Sequence, residues 1–251
     1  MTKPKQAYVT YLSTDDYLPG VLVLHHSLLM TQSRHILYCM ITHNISQQTI
    51  DILESHAIKT IPVDDIDIPA DIRNSVGDNN FTHWNRAWDK LNIFNLTDFD
   101  KIVYLDSDMI VYSNIDELFD KPHLTAATDG VTIYGNIRAK NLNSGLMVIT
   151  PNKKTFDDIL AYIHTLQPGK IYHDQLVMQQ FFTEWGDKTE LHLGENYNMW
   201  VPFADKYPQN DVKVLHYIGK IKPFTNKQYP VGCTELVRKY YKLYFDYLEV
   251  I

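Results

Sequence analysis

The chain has 251 residues, 45% of them hydrophobic and 21% charged, with a formal net charge of -7. That is enough chain for a substantial core in one α/β domain or two smaller ones, and nothing in the balance resembles a disordered or fibrous protein. No Lys/Arg run supplies the basic patch of a nucleic-acid binder, and an acidic protein that handles an anionic substrate must place cations beside it, as bound metal or as a few lysines and arginines.

The opening segment MTKPKQAYVTYL lacks the apolar run of a signal peptide, and no stretch reaches the length of a membrane span, so a cytoplasmic location is expected. Tyr8 to Leu12 reads as a buried strand. A polar turn, Ser13 to Asp16, leads into a helix from about Tyr17 to Met30, with Asp15 or Asp16 as its N-cap. Ile36 to Ile41 is a second strand holding a buried Cys39; with only Cys233 beside it, there is neither a disulfide framework nor zinc spacing. Ser46 caps a second helix through about His56, and Lys59 to Val63 is a third strand. This alternation implies a parallel sheet with right-handed crossovers.

Asp64 to Asn80, acidic and broken by Pro69 and Gly77, reads as a loop. Phe81 to Leu96 has helical spacing, with Trp84, Trp88, Leu91 and Leu96 toward one side. Lys101 to Leu105 (KIVYL) is apolar on both faces, as a central parallel strand should be. Leu124 to Thr128 and Gly145 to Thr150 form two more strands around a loop, Asp129 to Asn141. Helices follow at about Lys154 to Leu166 and Asp174 to Trp185. Gly194 to Asp211 is irregular, Val212 to Tyr217 is a strand, and Glu235 to Val250 is a helix with five tyrosines and phenylalanines.

KIVYL runs straight into Asp106-Ser107-Asp108. If strand geometry persists, the two aspartates share a face at the carboxyl end of a parallel strand, where open α/β sheets bind ligands. Two like charges there call for a cation, and carboxylate oxygens suit Mg²⁺ or Mn²⁺. The alternatives are a solvated turn or a phosphatase-type nucleophile, although the latter usually follows a first strand.

Five ordered blocks carry a resemblance: AYVTYLSTDDYLPGVLVLHHSL, KIVYLDSDMIVYSNIDELFD, LNSGLMVITP, HDQLVMQQFF and LHYIGKIKPF. Together they resemble the family-8 retaining glycosyltransferases, and within them the glycogenin group. The resemblance implies an α/β, single-domain GT-A nucleotide-sugar transferase fold over residues 1–251, with a mainly parallel, Rossmann-like sheet flanked by helices. A nucleotide-binding half would span about 7–128, and an acceptor half with the C-terminal helix about 129–251. It implies metal ligands at Asp106, Asp108 and His216, binding Mn²⁺ or Mg²⁺, with the histidine favouring Mn²⁺. It implies nucleoside contacts from Leu12, Thr14 and Tyr17, and diphosphate contacts from Gly219 and Lys222. Lys90 would serve the phosphates or sugar, and Ser107, Ser144 and Gly145 would line the donor site. Asn143, Asp174 and Gln175 would approach the donor sugar as catalytic residues.

The implied reaction moves a hexose, glucose or galactose, from a UDP-sugar to a hydroxyl of a glycan, protein or polyol. Self-glucosylation is in doubt: NMWVPFADKYPQND does not align with the acceptor segment, although Tyr207 lies in it, and Ile171 stands where the group has a second acidic residue. Asp174 is the carboxylate best placed to steady or attack an oxocarbenium-like carbon, or else the N-cap of its helix. The loops 64–80 and 129–141 are candidate lids, and Trp200, Phe203 and Tyr207 a candidate sugar-stacking surface. Competing readings are a nucleotide-sugar sensor without turnover, and an interaction surface or homodimer built on Tyr240, Leu243, Tyr244, Tyr247 and Leu248.

Overall fold

In the computed structural model, residues 4–75, 87–135, 139–219 and 222–251 are described. The first strands and helices follow the expected rhythm: β1 (Gln6–Leu12), α1 (Leu18–Met30), β2 (Leu37–Ile41), α2 (Gln47–Ser55) and β3 (Lys59–Pro62). Ser46 does cap α2, its hydroxyl accepting from Thr49 N. Neither aspartate caps α1. A 3-10 turn, Asp15–Tyr17, precedes that helix, and the Asp15 carboxylate instead accepts from Ser46 N at 3.1 Å. The aspartate therefore ties the β1 loop to the start of α2.

A single helical turn, α3 (Ala70–Arg73), lies in the predicted 64–80 loop. Residues 76–86, with Phe81 and Trp84, fall outside the described residues. Beyond them the predicted helix is a 3-10 segment, Trp88–Asn95, buried at every position from Trp88 to Phe94. The tighter winding lets the chain sink whole into the core, and its polar side chains find partners there. Asp89 accepts from Ile66 N at 2.8 Å and pairs with Arg73; Asn92 donates to Asp64 O at 2.9 Å.

The remaining elements are β4 (Lys101–Leu105), β5 (Met109–Val111), β6 (Thr125–Thr128), α4 (Val131–Tyr134), β7 (Leu142–Ile149), α5 (Lys153–Ile163), α6 (Asp174–Phe181), β8 (His192–Leu193), β9 (Met199–Trp200), β10 (Val214–His216), α7 (Pro223–Asn226) and α8 (Glu235–Val250). Among the described residues the main sheet runs β3-β2-β1-β4-β7-β6-β8, and a smaller one β5-β10-β9. β1 pairs in parallel with β2 and β4. Past β4 the direction changes, because β7 is antiparallel to both β4 and β6. The fold is the expected α/β architecture, a mostly parallel sheet with helices against it.

Strand periodicity explains the two cores. Ala7, Val9 and Tyr11 of β1, Ile102 and Tyr104 of β4, and Met147 and Ile149 of β7 face one layer with Trp88, Phe94 and Phe156. Tyr8, Leu12, Val103, Leu105, Leu146 and Val148 face the other, with Val21, Leu24 and Leu28 of α1. Each such side chain taken fully from water contributes about 1.5–3 kcal/mol. A third cluster joins the small sheet to α8. Tyr240 and Tyr244 are buried in it, and Leu243, Tyr247 and Leu248 pack against it. The aromatic stripe of α8 thus docks onto its own core.

The changes of strand direction build the site. β4 ends at Leu105, the chain turns at Ser107-Asp108, and β5 enters the small sheet. The two aspartates therefore reach one place through a turn rather than along a continuing strand. β7 arrives antiparallel, so Asn143, Ser144 and Gly145 lie inside a strand beside that turn, with Asp106 N donating to Gly145 O at 2.9 Å. β10 pairs with β5 through His216 and Met109, and Tyr217 N donates to Asp108 O at 3.0 Å.

Candidate active site

At the strand ends, one ligand atom from each of Asp106, Asp108 and His216 lies within 4.8 Å of the others. Asp106 is the open member, its side chain 28% exposed against 10% for Asp108. Asp106 Oδ1 accepts from Tyr104 Oη at 2.8 Å and from Lys90 Nζ at 3.3 Å. Asp108 faces His216 Nε2 at 3.2 Å through one oxygen and the Lys222 ammonium through the other. Lys222 also donates to Tyr217 O at 3.1 Å.

Lys90 is the hub of the buried charges. Its ammonium reaches Asp174 Oδ2 at 2.7 Å and Ser144 Oγ at 3.0 Å, besides Asp106. Ser144 Oγ in turn donates to Asp174 Oδ2 at 2.9 Å, and Ser144 N to Gln175 Oε1 at 3.1 Å. Burial opposes charge on Lys90, but Asp106 and Asp174 outweigh it and raise its pKa. Burial likewise pushes Asp174 up, and Lys90, His173 and Ser144 more than reverse that, so its carboxyl titrates below the usual range. Asp108 is depressed in the same way by Lys222 and His216 against its burial. The cap of α6 is His173, whose ring accepts from Leu176 N at 3.4 Å. Asp174, the first residue of the helix, is left to point at Lys90.

The residues fit a divalent ion. Two carboxylates and an imidazole form an oxygen-and-nitrogen donor set suited to Mn²⁺ or a similar metal. With Asp174 counted, three carboxylates share two ammonium groups, Lys90 and Lys222, and a bound cation would restore the balance. Gly145 leaves the space: a Cβ there would stand 2.9 Å from His216 Cε1 and 2.8 Å from Met109 Cε.

Lys90, Asp106, Asp108, Ser144, Asp174, Gln175, His216 and Lys222 are joined at this end of the sheet by the contacts above. Leu12 ends β1, Thr14 precedes the 3-10 turn in extended backbone, and the Tyr17 ring meets Phe224 edge-on at 5.3 Å. Lys90 is engaged by two aspartates and a serine. Asn143 Oδ1 is taken by Gly145 N at 2.9 Å and Asn198 Nδ2 at 2.8 Å. Gly219 has a φ of +101°, a conformation that favours glycine.

Sequence reasoning passed over Tyr104, Asn198 and Gly20. A Cβ at Gly20 would lie 2.5 Å from Ser107 O, so the first turn of α1 packs backbone to backbone on the Asp-Ser-Asp turn. Tyr104, two residues before Asp106, had a signal in strand alternation; Asn198 had none. Trp200 and Tyr207 do not form an open stacking surface. Both are buried, and the Trp200 ring lies over Gly130, where a Cβ would meet it at 2.4 Å.

The glycosyl transferase family 8 model matches residues 8–228, so the chain belongs to that family. It is 32% identical to Glycogenin-1 of Caenorhabditis elegans over 233 residues, 87% of this chain and 51% of the relative. It is 30% identical to Glycogenin-1 of Homo sapiens, over 87% of this chain and 62% of that protein. It is also 33% identical to the UDP-glucuronate:xylan alpha-glucuronosyltransferase 2 of Arabidopsis thaliana, over 86% of this chain and 35% of the relative. The chain thus spans about half the length of the curated relatives it matches, and less of some. Among solved structures, the galactosyltransferase LgtC in complex with donor and acceptor sugar analogs superposes with a TM-score of 0.65 at 16% identity, covering 97% of this chain and 96% of that one. GlyE of Streptococcus pneumoniae TIGR4 superposes with a TM-score of 0.65 at 19% identity, over 97% of this chain and 60% of that one. The fold is the GT-A glycosyltransferase fold.

Proposed function

We propose that this protein is a metal-dependent, retaining hexosyltransferase that moves a sugar from a UDP-sugar to a hydroxyl acceptor. The observation that carries the reading is the joined pair of clusters: Asp106, Asp108 and His216 on one side, and Asp174, Gln175 and Ser144 on the other, with Lys90 between them. A divalent ion held by Asp106, Asp108 and His216 would supply Lewis-acid stabilisation of the departing diphosphate.

The chain's own residues do the rest. Tyr17, Thr14 and Leu12 bound the nucleoside end. Lys222, now paired with Asp108, exchanges that partner for the diphosphate and adds positive charge as the leaving group departs. Asp174 stays ionised because Lys90 and Ser144 hold it so, and its negative charge steadies the oxocarbenium-like carbon. The sugar leaves on the face it arrived on, with the departing phosphate oxygen accepting the acceptor's proton. Gln175 fixes the Ser144 backbone, keeping β7 and α6 at one spacing.

The glycogenin relatives favour glucose as the sugar, with galactose and glucuronic acid as the alternatives that LgtC and the xylan enzymes raise. Tyr207 is a poor self-acceptor: its hydroxyl is buried and burial raises its pKa. No helix among the described residues is long and apolar enough to cross a membrane.

The test is intact mass spectrometry of the purified protein before and after incubation with UDP-glucose and Mn²⁺, with free UDP measured in the same tubes. Release of UDP that disappears in Asp108→Ala supports transfer, and added hexose mass would show a self-acceptor. Silence with UDP-glucose, UDP-galactose and UDP-glucuronate alike would sink the reading.

A further inference from the structure

His216 carries two ring nitrogens, and only one arrangement of its proton leaves Nε2 free to ligate a cation. The neighbours of the ring decide that arrangement. Asn198 is the residue just before β9. Because β9 runs beside β10 with Trp200 opposite His216, the Asn198 amide comes alongside the imidazole. Its Oδ1 lies 2.8 Å from His216 Nδ1, and its Nδ2 donates to Asn143 Oδ1 at 2.8 Å.

Amide orientations are ordinarily ambiguous, because oxygen and nitrogen can be exchanged. A backbone group removes the ambiguity here. Gly145 N–H can only donate, and it lies 2.9 Å from the Asn143 side chain, so the atom facing it is the oxygen. That oxygen also faces Asn198, which must therefore present its NH₂. The other end of the Asn198 amide, turned to His216, is then an oxygen, and the nitrogen facing it must carry a hydrogen. Reversing Asn198 would oppose two oxygens at 2.8 Å; reversing Asn143 as well would oppose two N–H donors at Gly145. The remaining Asn143 Nδ2 points to Asp129 Oδ1 at 3.5 Å, consistent with the same orientation. Asn198, Asn143, Asp129 and His216 are all buried, so water offers the ring little alternative.

We infer that Asn198 locks the His216 ring with its proton on Nδ1 and its Nε2 lone pair turned toward Asp106 and Asp108, making Asn198 a positioning residue for the cation site. The inference rests on reading that cluster as a metal site. A second layer of this kind orients the ligand and raises its basicity, and its loss typically lowers metal affinity by about 10–100-fold. It also accounts for Gly145 on a second ground: a side chain there would press on both Asn143 Oδ1, at 3.0 Å, and the ring it governs.

The test has two arms. In the metal-free protein, ring ¹⁵N shifts and ring-proton couplings of His216, assigned by comparison with His216→Gln, report the tautomer at a pH where imidazole is neutral. The expected pattern keeps a proton on Nδ1 and makes Nε2, which lies 3.2 Å from Asp108 Oδ1, the nitrogen that gives up its proton; a bare Nδ1 overturns the inference whether or not the Asn198 variants fold. Separately, Mn²⁺ titrated alone into the native protein, Asn198→Leu and Asn198→Asp is followed by calorimetry and by the loss of free-Mn²⁺ paramagnetic resonance signal. Asn198→Leu should bind at least about tenfold more weakly, and Asn198→Asp, which keeps an acceptor for Nδ1–H but sets its other oxygen against Asn143 Oδ1, should fall between Asn198→Leu and native. A folded Asn198→Leu that binds Mn²⁺ as tightly as native would also overturn the role. A native protein that takes no Mn²⁺ overturns the metal reading itself, an outcome the nitrogen shifts tell apart from a wrong tautomer.

Discussion

Lys90 shows how much one side chain carries. Its ammonium is buried among two carboxylates and a serine hydroxyl. Replacing it by methionine keeps the volume and strands both charges. Lys90→Met should therefore lose about 3–5 kcal/mol of stability, read as a lower urea midpoint, along with activity. Should the midpoint stay native, the pairing is not what holds this end of the sheet. Gly145 makes the complementary case, where the absent atom matters. Gly145→Ala should cost about 1–3 kcal/mol by overpacking and weaken Mn²⁺ binding by displacing the His216 ring. A variant with native metal affinity would show that the ring has room to spare.

Elements position these residues through their ends. α6 begins at Asp174 because His173 takes the capping duty, and this frees the carboxylate for Lys90. Asp174→Asn keeps the hydrogen-bonding shape but removes the charge, so transfer should fall about 100-fold or more with the fold intact. Unchanged turnover at saturating donor would take Asp174 out of the chemistry. The segment after β6 is braced rather than free. Gly130 has a φ of +62° beneath the Trp200 ring, and Thr132 N donates to Glu195 Oε2 at 3.0 Å. Gly130→Ala combines left-handed strain with a clash and should cost about 2 kcal/mol or more, checked by thermal unfolding.

Across the whole molecule, burial sets a distinctive response to alkali. Burial raises the pKa of Tyr8, Tyr11, Tyr104, Tyr217 and Tyr244, and pushes Tyr241 up to about 12. Folded tyrosines then keep protons that unfolded ones release, so stability holds below the ordinary tyrosine range and falls as pH rises from about 10. Phenolate absorbance from these six tyrosines, over and above that of exposed ones such as Tyr112 and Tyr134, should appear together with loss of helical circular dichroism; full phenolate absorbance ahead of unfolding would refute the account. On the acid side Asp116 and Asp174 titrate low. Their contribution is present above the ordinary carboxylate range and is lost as pH falls below about 4.

Local pattern determined much of this protein. Short apolar runs such as KIVYL gave the strands, and Ser46 gave a helix start. Five ordered blocks gave the family and the neighbourhood of Asp106, Asp108, His216 and Asp174, because each lies within a short segment whose spacing is readable. Tertiary structure decided what short spacing does not encode. The antiparallel entry of β7 placed Asn143 and Ser144 beside Asp106, and the parallel pairing of β9 with β10 brought Asn198 to His216. The 3-10 winding of 88–95 sank Lys90 between two aspartates contributed from positions 16 and 84 residues further along the chain. Partners this far apart in sequence meet only when the core forms, and the cost of burying their charges is recovered only in that assembled geometry.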